Sequence, residues 1–95
     1  MNNNYYIVRC NKSGVFFGHI EKCKGREVTM TNVRKIWYWN GAAAVEQLAC
    51  EGVKKPQDCK FTMYVEEIIV TDATEILRCT PEAVASIKGV PEWKM

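Results

Sequence analysis

Histidine is nearly missing from this chain: His19 is the only one among 95 residues. That alone disfavours histidine-based zinc sites and most general-base chemistry. Cysteine is present five times, at Cys10, Cys23, Cys50, Cys59 and Cys79. No two of them have the CxxC spacing of a metal knuckle or a redox pair. The count is odd, so the expected state is reduced thiols, several of them buried as small apolar groups. Cys23 lies between Lys22 and Lys24. Cations favour a thiolate, which makes it the candidate reactive thiol. There is no GxSxG, no P-loop and no GxGxxG. Glu66 and Glu67 are adjacent, so a regular strand sends them to opposite faces rather than into a carboxylate pair. No metal, no cofactor and no enzymatic activity are expected.

Long apolar runs are also lacking. Ile68-Ile69-Val70 is far too short to cross a bilayer. The start, MNNNYYIVRC, has neither a cationic segment nor an apolar core of the kind that directs export. The expectation is a soluble protein of the bacterial cytoplasm with no membrane partner. Excess charge is missing too. A formal net charge of +2 gives no bulk attraction to nucleic acid, so any basic surface must be local. An apolar fraction of 47% in a chain of this length implies one folded domain over residues 1–95.

The patterning predicts an α+β fold, a mostly antiparallel sheet with two short helices at about 40–52 and 80–88. YYIVRC, VFFGHIEK and EVTMT read as three strands of a meander, with turns at NKSG and CKGR. Gly18 inside the second strand suggests a bulge. Asn32 reads as a short break before a further strand, Val33 to Trp39. Asn40 reads as the cap of a helix running to Gly52. Cys59 to Val70 is β-rich, and a last strand is expected to end at Arg78. Thr80-Pro81-Glu82 is a helix start and Gly89 the stop. Trp93 is expected to anchor the tail. Two short helices on one sheet face make a thin core, which favours a homo-oligomer.

The most informative stretch is RKIWYWNG, Arg34 to Gly41. On a regular strand Trp37 and Trp39 share one face, and Ile36 and Tyr38 share the other. Such faces bury readily against a helix or a partner subunit. The functional alternative is a nucleotide pocket. Trp37 or Trp39 stacks on a base, a contact of ~1–3 kcal/mol. Arg34, Lys35 and Arg9 hold phosphates. Asn40 and Gly41 open a helix whose N–H groups accept an anion.

YYIVRC, SGVFFG, EVTM, NVRKIWYWNGAAAVEQLACEG, EEIIVT and VPEW together resemble a family of small proteins encoded by bacteriophages and prophages, carried mainly as a domain of unknown function. The densest part of the resemblance is R-x-x-W-Y-W-x-G-A. It brings no catalytic motif. Phage context implies an anti-defence role by analogy. The first expectation is a sponge that sequesters a nucleotide-derived immune second messenger without cleaving it. The alternative is a protein-binding inhibitor of a host defence effector, with Glu66, Glu67, Asp72 and Glu75 or a sheet edge as its contact surface. A second alternative is nucleic-acid binding, which carries a steep salt dependence.

Overall fold

The computed structural model describes residues 3–95. It holds six strands: β1 (Tyr6–Cys10), β2 (Val15–Lys24), β3 (Glu27–Tyr38), β4 (Lys60–Phe61), β5 (Val65–Val70) and β6 (Ala73–Arg78). Two helices accompany them, α1 (Val45–Glu51) and α2 (Pro81–Lys88), with a single 3-10 turn at Pro56–Asp58. The fold is α+β, and every strand pairing is antiparallel. Across the sheet the order is β6, β1, β2, β3. The far side of β3 is shared, with β5 along Val28–Val33 and β4 along Ile36–Tyr38.

β5 and β6 follow one another through Thr71 and Asp72, yet they occupy opposite edges of the sheet. So short a link requires the sheet to curl until its edges approach. Ala73 N donates to Arg26 O at 3.1 Å, and Asn11 N donates to Asp72 O at 2.9 Å, which ties the link to two other turns. The register shifts once between β1 and β6, twice between β2 and β3 and once between β3 and β4. Each irregularity adds bend and twist, the means by which a sheet coils. Val8, Phe16, Ile20, Val28, Met30, Val33 and Val70 form one buried cluster. The opposite face carries Ile7, Phe17, Ile36 and Phe61 beneath Leu48 and Ala49 of α1 and Ala83 and Ile87 of α2. The core is therefore two-sided, and richer than helices on a single face would supply.

Gly18 is one of these irregular points, as its place in a strand suggests. A Cβ there would lie 2.8 Å from Val33 Cβ and 2.9 Å from Val33 Cα. Asn32, close by on β3, has φ +48°, a left-handed conformation that asparagine tolerates better than most residues. Its Nδ2 donates to the Tyr5 hydroxyl at 2.9 Å. The expected break at Asn32 is thus a kink inside one continuous strand. β2 likewise runs on to Lys24, so Cys23 is an exposed strand residue opposite Val28.

α1 is shorter than expected. It begins at Val45, not Asn40, because the preceding residues are committed elsewhere. Gly41 has φ +93°, and its carbonyl accepts from Lys54 N at 3.3 Å. Ala44 occupies the N-cap without a side-chain bond, and Gln47 Oε1 reaches back to Ala43 N at 2.7 Å. α2 is capped as its sequence implies. Thr80 Oγ1 accepts from Ala83 N at 3.1 Å and donates to Cys50 O at 2.7 Å, which joins the two helices.

Candidate functional site

The segment Arg34–Gly41 does not present one surface. A bulge between Ile36 and Tyr38 breaks the alternation. Ile36 is buried, whereas Trp37 and Tyr38, at 54% and 48% exposure, both face water. Trp39 turns the other way. It packs against the helix-covered core, and its Nε1 donates to Ala42 O at 3.2 Å. Trp37 and Trp39 therefore do not share a face. The extra residue of the bulge reverses the parity that a regular strand would keep.

Arg34 lies inside, 1% exposed. Its Nε donates to Thr62 O at 2.9 Å, Nη1 to both Ile87 O and Val90 O at 3.1 Å, and Nη2 to Phe61 O at 3.4 Å. The rings of Phe61 and Tyr64 lie 5.3 and 4.8 Å from its guanidinium carbon. A buried charge needs partners on every donor, and here the partners are backbone carbonyls, two of them at the negative end of α2. Burial raises the titration of Tyr64 above the usual phenol range, against the opposing pull of Arg34.

The other expected site residues scatter. Lys35 points away from Arg34, its Nζ 5.8 Å from the centre of the Phe16 ring. Arg9 pairs with Glu75, Nε to Oε1 at 2.6 Å, and shares a shallow groove with Trp39 and Glu46. Asn40 N donates to Cys59 Sγ at 3.4 Å, in a loop rather than at a helix start. A Cβ on Gly41 would lie 2.7 Å from Lys54 N and Lys55 N, so this glycine lets two backbone segments touch. With α1 only seven residues long and starting at Val45, the anion site expected at its N-terminus does not form.

What the fold assembles around Trp37 comes from the other end of the chain. Trp93 stacks on it, with centroids 4.8 Å apart and planes 25° from parallel. Lys60 Nζ sits 5.6 Å from the Trp37 ring and 5.5 Å from the Trp93 ring. The tail is held there by Trp93 N donating to Phe61 O at 2.8 Å and by a parallel bridge from Glu92 to Phe61. Trp93 remains 42% exposed. The outcome is an open patch of two stacked indoles, a phenol and an ammonium that is attracted to both indoles. Lys60 and Trp93 were missed because a two-residue strand and a tail contact leave no periodic signal. The VPEW tryptophan was the one available hint.

Among the described residues no cluster of histidine, cysteine, aspartate and glutamate has the makings of a metal site. His19 Nδ1 lies 2.9 Å from Asn4 O, and its ring packs on Tyr5 at 4.0 Å. Among the described residues no helix is long and apolar enough to cross a membrane.

Fold and surface together define a small α+β domain whose most distinctive exposed feature is an aromatic patch with one lysine at its centre. The chain belongs to the family described as a domain of unknown function (DUF6948), whose model matches residues 3–87. No curated protein and no solved structure matches it.

Proposed function

We propose that this protein is a phage anti-defence binding protein that captures a nucleotide-derived immune signal and holds it uncleaved. The observation that carries the reading is the Trp37–Trp93 stack with Lys60 beside both rings. Indole faces accept a base by stacking, and a lysine in the same patch meets its phosphate. Lys35 lies outside this patch, its ammonium beside Phe16 and the Gly14 turn. Arg34 serves the same patch indirectly, by holding Phe61 and Thr62 against the end of α2. Because the patch is open, a second copy of the chain closing over it is the natural way to enclose a small ligand.

The test is tryptophan fluorescence and melting temperature against cyclic dinucleotides, cyclic trinucleotides and cyclic ADP-ribose isomers, with Trp37→Ala and Lys60→Ala as controls. A saturable quench that both variants lose, with ligand recovered intact, supports capture. Recovery of a cleaved product points to an enzyme instead.

A second reading has its own support. Trp37, Tyr38 and Trp93 are each about half exposed on an uncovered surface, the composition of a protein-interface hot spot. In that case the target is a host defence protein. The signature is a stable complex that Trp37→Ala dissolves and that added nucleotides leave intact.

A further inference from the structure

The C-terminal tail lies on the Trp37 patch as a separate peptide would. Val90 ends the packed part of the chain, buried and with its carbonyl held by Arg34. Residues 91–95, Pro-Glu-Trp-Lys-Met, are all exposed. Pro91 fixes its own φ in the range an extended segment needs. Glu92 then forms a parallel bridge with Phe61, on the side of β4 away from β3, and Trp93 N donates to Phe61 O at 2.8 Å. Backbone pairing to a strand edge, with a side chain seated beside it, is a standard mode of peptide recognition.

The seated side chain is Trp93, stacked on Trp37 at 4.8 Å and 25°. Lys60 Nζ lies 5.5 Å from the Trp93 ring, and a cation there favours an electron-rich ring over an aliphatic group of similar size. Tyr38, paired with Lys60 across the β3–β4 ladder, borders the seat. The hold on the tail is light. Its ion pair, Lys94 to Glu92 at 3.6 Å, is internal to the tail and does not tie it to the body. Trp93 is still 42% exposed. A segment so held opens at small cost. While closed it counts as a ligand at millimolar effective concentration, which masks the seat from other segments.

We infer that the open edge of β4 and the Trp37 face form a docking site for an extended peptide segment carrying an indole, and that the chain's own tail occupies it in cis. The partner is a protein segment that pairs with Phe61 and places its ring on Trp37 where Trp93 now sits. This inference rests on the patch being a binding surface and deepens the protein-target reading of it.

The test is an NMR titration of the full chain and of its Trp93→Ala variant with the blocked peptide acetyl-PEWKM-amide. The variant empties the seat, so the peptide is expected to shift residues 36–38, 60 and 61 saturably on the order of 1 mM. The parent chain should bind about tenfold more weakly, because its tail competes. The same peptide with leucine for tryptophan should bind several-fold more weakly, and adding Trp37→Ala to the variant should abolish the shifts. Trp93→Leu is the second variant if Trp93→Ala fails to fold. Equal affinity for parent and variant, equal affinity for the leucine peptide, or shifts away from these residues overturns the assignment. Adenosine 5′-phosphate run in parallel separates the two readings of the patch. Peptide binding without nucleotide binding supports the docking site and removes nucleotide capture, whereas nucleotide binding without peptide binding overturns the docking site and leaves capture standing.

Discussion

Arg34 and Val90 are joined by a hydrogen bond of 3.1 Å, from the guanidinium Nη1 to the main-chain carbonyl just beyond α2. The same nitrogen also holds Ile87 O, so one strand residue terminates the helix that packs over it. A cation just ahead of the Trp37-Tyr38-Trp39 run looks, in the sequence, like a ligand contact. In the fold it is a clasp.

Arg34→Ala should therefore act on stability first. It leaves the carbonyls of Ile87, Val90, Thr62 and Phe61 without their buried donor and opens a void. Unsatisfied buried groups and a cavity together cost on the order of 3 kcal/mol or more. Urea unfolding measures this directly, and a loss below about 1 kcal/mol would contradict the clasp. Arg34→Lys should recover little, because one ammonium cannot span four carbonyls in two segments.

The two strand tryptophans should separate cleanly. Trp39→Ala removes a ring from the helix-covered core and its bond to Ala42, and should cost about 3 kcal/mol. Trp37→Ala removes a half-exposed ring and should change stability by about 1 kcal/mol or less. Its effect should fall on ligand or partner binding. Equal destabilisation by both variants would show that the Trp37–Trp93 stack is structural.

Acid should loosen the β1–β2 turn before the core. The Asp72 carboxylate accepts from Ser13 Oγ at 2.7 Å, Lys12 N at 2.7 Å and Ser13 N at 3.0 Å. These bonds, the Ser13 hydroxyl foremost, lower its titration from 3.8 to about 2. A carboxylate depressed in the folded state stabilises fully above its unfolded value. That contribution is lost as pH falls through the interval from 3.8 to about 2. Asp72→Asn should flatten the stability profile there, read as melting temperature against pH. An unchanged acid slope in the variant would remove Asp72 as its source.

The thiols should react in two classes. Burial pushes Cys79 up to about 12 and Cys10 up to about 11. Cys23 and Cys50 are exposed. Iodoacetamide near pH 8 should modify Cys23 and Cys50 first, with Cys10 and Cys79 labelled only after unfolding. Peptide mass mapping over time tests this, and early labelling of Cys79 would mean that the junction of β6 and α2 opens readily.

Sequence patterning reached β1, β2, β6, α2 and the α+β class because alternation and capping are local, but it split β3 at Asn32 and ran β4 and β5 together as one stretch. Thr80-Pro81 announces a helix, and Gly18 announces an irregular strand. Asn40-Gly41 misled because the residues that open a helix also make a tight turn, and the backbone at Lys54 decided between them. The candidate site was half legible. Trp37 stood out, but its parity with Trp39 rested on a regular strand, and the bulge is set by pairing with β4. Lys60 and Trp93 reach Trp37 only through a bridge between distant segments. No spacing rule records that contact.

The curl that places consecutive strands β5 and β6 on opposite edges orders events during synthesis. β6 docks on β1, the earliest of the described strands, only after the other described strands have been made. The sheet's final edge therefore stays open until Arg78 has cleared the ribosome, and with it the backbone rim of β1 that β6 covers. The structure is dominated by such distant pairings, which fold slowly. A nascent chain halted before residue 73 should be the most aggregation-prone form of this protein.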